Sequence, residues 1–214
     1  MIINNIVVGP LEVNCYVLWC EDTKEAAIVD PGDNADEIIK VIEKADLKPV
    51  YIINTHAHFD HIGGVKALQD HFNIDFLLHE EDLFLVNNAS TQARAFGLDP
   101  IPKPDVNKFV NNGDKISLGN KVIDVIHTPG HSPGCVCYLI DNNVFVGDTL
   151  FAGSIGRSDL PGGSHETLIN SIKEKLFPLG DSVIVYPGHG ASTTIEAEKR
   201  HNPFLKEMNE GNII

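Results

Sequence analysis

The segment His56-Ala57-His58-Phe59-Asp60-His61-Ile62-Gly63-Gly64 places four side chains of metal-binding type, three histidines and one aspartate, within six residues. It follows an apolar run that predicts a buried strand, and it precedes a helical pattern. In extended backbone, residues two apart point the same way, so the side chains of His56 and His58 can share one metal ion. The turn into the helix directs Asp60 and His61 to another side of the cleft. Because four ligands so close together exceed what one tetrahedral ion easily uses, the segment favours two adjacent ions.

Three further candidate ligands each follow a predicted strand, namely His131, Asp148 and His189. Loops at strand ends on one edge of a sandwich converge on a binding cleft. Asp148 is the only carboxylate of the set besides Asp60, so it is the natural bridge between two ions. One histidine at a strand end is ordinarily structural, but four such strand-end sites together favour a metal centre. The structural interpretation is kept for the five other histidines, which are His71, His79, His127, His165 and His201.

Charge and composition exclude several classes of protein. The 214 residues include 16 basic and 30 acidic side chains, and the net charge of −14 makes nucleic acid and anionic membranes poor partners. No apolar run approaches the ~18 residues of a membrane-spanning helix, and the N-terminus lacks a secretory signal. Four cysteines do not form a disulfide framework, so we expect a cytoplasmic location. Without a linker or repeat, the chain is predicted to form one domain over residues 1–214.

The pattern of apolar runs predicts the order of the elements. Strands are expected over residues 2–8, 13–19, 26–29, 50–53, 75–78, 115–118, 121–126, 135–140, 144–146 and 182–186. Helices are expected over residues 35–45, 62–72 and 166–176, from about residue 80, and near the C-terminus. The polar, proline-containing segment 89–105 predicts a surface loop. Two groups of strands, each carrying helices, indicate an α/β fold, a four-layer αββα sandwich with two sheets face to face.

The seven candidate ligands, in this order and spacing, resemble those of the metallo-β-lactamase superfamily across essentially the whole chain. The resemblance implies the αββα sandwich of that superfamily, with a binuclear metal site at one edge. One metal would be held by His56, His58 and His131. The other would be held by Asp60, His61 and His189, with Asp148 bridging the two. Asp30, in Asp30-Pro31-Gly32, resembles the family's early aspartate turn and is read as supporting the site from behind, with a plain turn residue as the alternative.

Two other segments resemble the type II glyoxalases, the hydroxyacylglutathione hydrolases, and in particular their short single-domain branch. They are residues 153–163, with the sequence GSIGRSDLPGG, and residues 200–204, with the sequence RHNPF. The resemblance implies hydrolysis of S-lactoylglutathione or a related hydroxyacyl thioester by a metal-bound hydroxide, which Asp60 would orient. The C-terminal helical domain that supplies much of the glutathione site in longer members is not expected here. Arg157 is a candidate for binding a substrate carboxylate, with a role in fixing its own loop as the alternative.

The metal and the exact reaction stay open at this level. The mixed nitrogen and oxygen ligands suit zinc, with iron or manganese as alternatives. The chain also resembles the persulfide dioxygenases, and this resemblance implies an alternative function with a single iron held by His56, His131 and Asp148. Without an export signal, β-lactamase activity is not expected, and an acidic chain without an extra domain does not favour an RNA-processing nuclease. A non-enzymatic metal-binding module is a further alternative. The sequence does not determine the oligomeric state.

Overall fold

The computed structural model describes residues 1–206, which form two six-stranded sheets and one two-stranded hairpin. The first sheet keeps the order of the chain. Its strands are β1 (Ile2–Val8), β2 (Val13–Trp19), β3 (Glu25–Val29), β4 (Lys48–Ile53), β5 (Asp75–Leu78) and β6 (Lys108–Phe109). The pairs β1–β2 and β2–β3 are antiparallel, and the strands from β3 to β6 are parallel.

The second sheet is mostly antiparallel and has one parallel pair. Its strands are β7 (Lys115–Leu118), β8 (Lys121–His127), β9 (Val136–Ile140), β10 (Asn143–Gly147), β13 (Ile184–Pro187) and β14 (Thr193–Thr194). β13 lies parallel to β10, with β14 at the edge of the sheet beyond it, and the small hairpin pairs β11 (Leu150–Phe151) with β12 (Ser154–Ile155). Because β8, β10 and β13 run in the same direction, the loops that follow them leave at one edge of the sandwich.

Helices cover the outer face of each sheet. α1 (Ala35–Lys44), α2 (Phe59–Ile62), α3 (Val65–Phe72) and α4 (Leu83–Ala95) belong to the first half, with a 3-10 turn at Glu80–Asp82. α5 (His165–Ser171), its π-helical continuation Ile172–Leu176, a 3-10 turn at Phe177–Leu179 and α6 (Ile195–His201) belong to the second half. None of the helices within residues 1–206 combines the length and apolar character needed to cross a bilayer.

Three apolar layers alternate with the four layers of secondary structure and confirm the predicted αββα sandwich. In β10, Phe145 faces the layer between the sheets, while Val144 and Val146 face the helices outside. In β2, Leu18 faces the other sheet and Val17 faces the helices of the first half. Strands buried on both faces read as continuous apolar runs, which is why they were recognisable in the sequence.

The prediction of a loop over residues 89–105 is wrong for its first part, because α4 continues to Ala95. The sequence of this part looks polar since its inward-facing side chains are small. Ala89 and Ala93, four residues apart, are both buried against the first half of the core. The segment after α4 lacks regular structure up to β6, a short strand that the sequence did not predict.

The single helix predicted over residues 62–72 is two helices, α2 and α3, separated by Gly63-Gly64. A Cβ atom on Gly63 would lie 2.3 Å from the carbonyl oxygen of Gly32, and one on Gly64 would lie 2.9 Å from that of Pro31. The glycines therefore let two backbone segments touch. This contact fixes the short helix α2, which carries Asp60 and His61, against the turn after β3.

Replacing Phe145 by alanine is expected to lower the free energy of unfolding by about 3–5 kcal/mol, because it opens a cavity between the sheets. The Phe145 ring is fully buried, and its centroid lies 5.0 Å from those of Tyr16 and Tyr186. Urea denaturation measures the loss. The control is Val122→Ala on β8, where the side chain is 47% exposed and the change should stay within about 0.5 kcal/mol. Equal losses in both variants would contradict this description of the core.

Candidate metal centre

Three histidines from two loops bring ring nitrogens together at one end of the cleft. His56 and His58 follow β4, and His131 follows β8. The Nε2 atom of His131 lies 2.9 Å from Nδ1 of His58 and 3.3 Å from Nε2 of His56. All three side chains are buried. Their nitrogens converge on one small volume, as the ligands of a single metal ion do.

A second group of donors lies beside the first and consists of Asp60, His61 and His189. The first two are on α2, and His189 follows β13. The Oδ2 atom of Asp60 lies 3.8 Å from Nε2 of His61 and 3.5 Å from Nε2 of His189. Two nitrogens and an oxygen thus surround a second small volume.

Asp148, directly after β10, faces both groups. Its Oδ2 atom lies 3.7 Å from Nε2 of His131 in the first group and 3.7 Å from Nε2 of His189 in the second. Its Oδ1 atom lies 3.4 Å from Nε2 of His61. Space for the carboxylate depends on Gly188, since a Cβ atom there would lie 2.3 Å from Oδ1. A single carboxylate between two donor groups is the arrangement that a bridging ligand requires.

Two unpaired buried atoms in the cleft fit a cation held between the donors. Nε2 of His61 and Oδ1 of Asp148 are buried and have no hydrogen-bond partner among residues 1–206. Buried polar atoms normally have a partner, because an unpaired one loses its interactions with water without compensation. A cation between the donors would provide that compensation for both atoms. The seven side chains singled out from the sequence lie in one cleft and could hold two ions.

Two histidines of the first group, His56 and His58, favour the neutral, metal-binding form. Burial lowers the pKa of His56 well below its ordinary value, and the neighbouring imidazole of His61 adds to the effect. Burial and the proximity of His131 lower the pKa of His58 to about 3. A neutral imidazole has the free lone pair that a metal ligand needs.

Around the second group, the pKa shifts favour ionised carboxylates on Asp60 and Asp148 and a positive charge on His61 between them. Burial alone would raise the pKa of Asp148, but the imidazole of His61 brings it well below the ordinary value. The pKa of Asp60 is lowered in the same way, by His61 and His189. Burial opposes protonation of His61, yet Asp148 and Asp60 raise its pKa well above the ordinary value. A divalent ion would displace that proton, so metal binding to this group releases protons.

Hydrogen bonds on the side away from the cleft fix which ring nitrogen faces the cleft in three histidines, His131, His61 and His56. His131 donates from Nδ1 to the carbonyl oxygen of Arg157 at 2.7 Å, which leaves Nε2 free. Asp30 accepts hydrogen bonds from the backbone and the hydroxyl of Thr55, at 2.7 and 2.6 Å, and from Nδ1 of His61 at 3.2 Å. The Thr55 hydroxyl in turn accepts from Nδ1 of His56 at 3.1 Å. Asp30 therefore orients one histidine of each group, the supporting position expected from its turn.

Asp82, which the sequence analysis missed, joins the two loops that carry the first group. Its Oδ2 atom accepts from the backbone of Ala57 at 3.0 Å and from the hydroxyl of Ser132 at 2.8 Å. Its Oδ1 atom accepts from the backbone of Gly134 at 2.7 Å. Asp82 is fully buried before α4. Nothing local in the sequence marks it, because its partners are 25 to 52 residues away.

The remaining candidates have other contacts. Arg157 lies on the wall of the cleft, but its guanidinium donates two hydrogen bonds of 2.8 Å to Asp159. This contact matches the loop-fixing alternative for Arg157.

The rings of His79 and His127 stack at 4.2 Å, where His79 accepts from the backbone of Glu81 and His127 donates to a carbonyl oxygen. These two histidines therefore already use ring nitrogens in structural contacts.

The wall of the cleft includes residues that the sequence analysis placed in a loop. A cavity of about 340 Å³ opens over the metal-binding side chains. Gln92, on α4, and Phe96, the residue that follows the end of α4, form part of the lining. Both were missed because the helix carrying Gln92 was not predicted over this segment.

Comparison with known proteins agrees with the fold. Residues 8–189 match the family model of the metallo-beta-lactamase superfamily. The hydroxyacylglutathione hydrolase GloC of Haemophilus influenzae is 42% identical over 210 residues, which cover 96% of this chain and 98% of that protein.

Two solved structures are similar over nearly the whole chain. The crystal structure of BLEG-1 B3 metallo-beta-lactamase superposes with a TM-score of 0.89 and 42% identity, covering 96% of this chain and 100% of that one. The crystal structure of TTHA1623 in a di-iron-bound form superposes with a TM-score of 0.87 and 39% identity, covering 94% of this chain and 100% of that one.

Replacing Asp82 by asparagine is expected to weaken metal binding about tenfold, the low end of the range for residues that support metal ligands, because Asp82 holds the loops beside the ligands and not the ligands themselves. The asparagine side chain has an NH₂ group in place of one carboxylate oxygen. This NH₂ group would face an N–H or O–H group that the carboxylate now accepts from, so a hydrogen bond between the two loops is lost. Competition with a chelator of known affinity measures the change. Asp70→Asn, at an exposed ion pair with Lys66, is the matched control. An unchanged affinity in Asp82→Asn would contradict the role of this residue.

Proposed function

Because the chain belongs to the metallo-beta-lactamase superfamily, we propose that it is a metal-dependent hydrolase of hydroxyacyl thioesters such as S-lactoylglutathione. The observation that carries the proposal is the pair of donor groups with Asp148 between them. The 42% identity to a hydroxyacylglutathione hydrolase, over nearly the full length of both proteins, supports the choice of substrate class.

The proposed cofactor is a pair of divalent ions, with zinc favoured by the nitrogen and oxygen donors and iron or manganese as alternatives. His56, His58 and His131 would hold one ion, and Asp60, His61 and His189 the other, with Asp148 shared. Bound divalent ions lower the pKa of water toward about 7 and polarise a carbonyl oxygen. The di-iron form of TTHA1623 supports a pair of ions and keeps iron among the alternatives.

Asp60 is the proposed catalytic residue among the ligands. Its side chain is 15% exposed and lines the cleft, whereas His61 beside it is fully buried. The lowered pKa of Asp60 keeps its carboxylate ionised, so it can accept a hydrogen bond from an attacking water and orient it toward the thioester carbonyl. A thiol leaves with a pKa of about 8.5, so the chain needs no separate acid to protonate it.

Two competing activities are open to the same site. The 42% identity to BLEG-1 makes β-lactam hydrolysis one of them. The other is the mononuclear-iron persulfide dioxygenase, for which His56, His131 and Asp148 would hold the metal. The second donor group favours a pair of ions over this alternative, since a single ion leaves Asp60, His61 and His189 without a role.

The proposed compartment is the cytoplasm, and the proposed partner is a small-molecule thioester. All four cysteines, Cys15, Cys20, Cys135 and Cys137, are buried and unpaired. Unpaired thiols are usual where the surroundings are reducing.

The metal content is expected to be two ions per chain, measured by native mass spectrometry after reconstitution with zinc. In His189→Ala the second donor group loses one ligand, while the first group keeps all three histidines. We therefore expect this variant to retain one ion at metal concentrations that saturate both sites of the unaltered protein. His165→Ala, outside the cleft, is the control and should retain both ions. One ion per chain in the unaltered protein would favour the mononuclear alternative.

The metal-reconstituted protein is expected to hydrolyse S-lactoylglutathione with a kcat of about 10 per second, the usual scale for enzymes. Asp60→Asn should lower kcat at least about 100-fold, because the neutral amide orients water poorly and weakens one ion site. The fall in absorbance of the thioester measures both rates, with Asp70→Asn as the control.

The competing activities are measured on the same preparations. Hydrolysis of a chromogenic cephalosporin without hydrolysis of the thioester would replace the proposed function by β-lactam hydrolysis. Oxygen uptake with glutathione persulfide, again without thioester hydrolysis, would replace it by the dioxygenase.

A further inference from the structure

Beyond the metal-binding side chains, the cleft has a largely apolar wall. Leu11 from the turn after β1, Phe59 from α2, and Leu160 and Pro161 from the loop after β12 contribute to it. Phe96 completes the wall, with its ring centroid 5.1 Å from that of Phe59. The part of a substrate that extends away from the metal centre, called here the substrate arm, would therefore lie between apolar side chains.

One polar side chain in this wall, Gln92, has a buried oxygen atom without a hydrogen-bond partner in the described residues. The Oε1 atom of Gln92 is buried and has no partner within the described part of the chain. Gln92 is four residues before Phe96, so the two side chains lie on the same side of the chain, toward the cavity. Oε1 is out of reach of water in the unliganded protein, so a ligand binds it once the amide group of Gln92 turns about its last side-chain bond, a soft two-fold torsion, toward the cavity. A buried acceptor without a donor is costly, and a ligand that brings an N–H or O–H group relieves that cost.

The charges around the cleft do not favour an anionic arm. Arg157 is the only lysine or arginine among the described residues that line the cavity, and its guanidinium is already bound to Asp159. A second cavity of about 400 Å³, which shares Leu11, Phe59 and Asp60 with the first, adds the acidic side chains of Asp33 and Asp99. A carrier carboxylate placed along these walls would gain no free cation and would meet negative charge.

We propose that the cleft recognises the thiol carrier through an amide N–H bound by Oε1 of Gln92, with the apolar wall packing its methylene groups and with no contribution from carrier carboxylates. The inference rests on the proposed thioester hydrolase function and names the carrier class that suits it, a neutral amide-bearing thiol. Gln92 is then a specificity-determining residue, which contacts the carrier and not the reacting atoms. Such a site discriminates by leaving Gln92 unpaired when the carrier lacks the N–H group.

Three S-lactoyl thioesters test the proposal on the zinc-reconstituted protein. Their thiols are glutathione, N-acetylcysteamine, which is neutral with one amide N–H, and 2-mercaptoethyl acetate, in which an ester oxygen replaces that N–H group. We expect kcat/KM for the N-acetylcysteamine thioester to equal or exceed that for the glutathione thioester. The ester analogue should be about tenfold poorer, mainly through KM.

Two variants separate recognition from structure. Gln92→Leu removes the acceptor and should lower kcat/KM about tenfold for the N-acetylcysteamine thioester, but less than twofold for the ester analogue. Gln92→Glu keeps an acceptor and should retain activity on the N-acetylcysteamine thioester within about threefold while lowering it on the glutathione thioester. Thermal unfolding of each variant checks that the fold is kept.

The outcomes distinguish this inference from the function on which it rests. If the unaltered protein hydrolyses all three thioesters but Gln92→Leu affects the amide and ester substrates equally, the inference is wrong and the hydrolase function stands. A tenfold preference for the glutathione thioester over the N-acetylcysteamine thioester would also overturn it. If no thioester is hydrolysed by protein that holds two ions, the proposed function fails first and the inference with it.

Discussion

The site depends on one electrostatic constraint, the carboxylate of Asp148, whose side chain is only 14% exposed, facing imidazoles of two donor groups. Oδ1 of Asp148 and Nε2 of His61 lie 3.4 Å apart, and neither has a hydrogen-bond partner in the described chain. A buried charge is tolerated only when opposite charge lies close to it. Protons on His61 can supply part of that charge, and two divalent ions would supply it to both groups. The position of Asp148 explains why the two groups form one centre.

The sandwich provides the rigidity that this arrangement needs. The donors come from loops after β4, β8, β10 and β13, and strands buried on both faces hold the ends of those loops in place. Two further buried carboxylates connect the loops. Asp30 ties Thr55 to His61, and Asp82 ties the loop of His56 and His58 to the loop of His131. Ligands fixed in this way lose little freedom when a metal binds.

The sequence was sufficient for the parts of the structure that follow local rules. Buried strands are apolar throughout, and the candidate ligands stand directly after them, so the layers and the cleft could be predicted. The end of α4 could not, because Ala89 and Ala93 fill the core without a strong hydrophobic pattern. The roles of Asp82 and Gln92 depend on groups that only the fold brings near them. Family resemblance suggested a substrate, but only the walls of the cleft indicate which part of it is recognised.

The most direct test of the account is a crystal structure of the zinc-loaded protein with anomalous diffraction measured at the zinc edge. The account predicts two anomalous peaks about 3.5–4 Å apart, the usual separation in two-metal sites. One peak should lie among His56, His58 and His131, the other among Asp60, His61 and His189, with the carboxylate of Asp148 in contact with both. A single peak at saturating zinc, or two peaks with Asp148 in contact with neither, would contradict the shared centre.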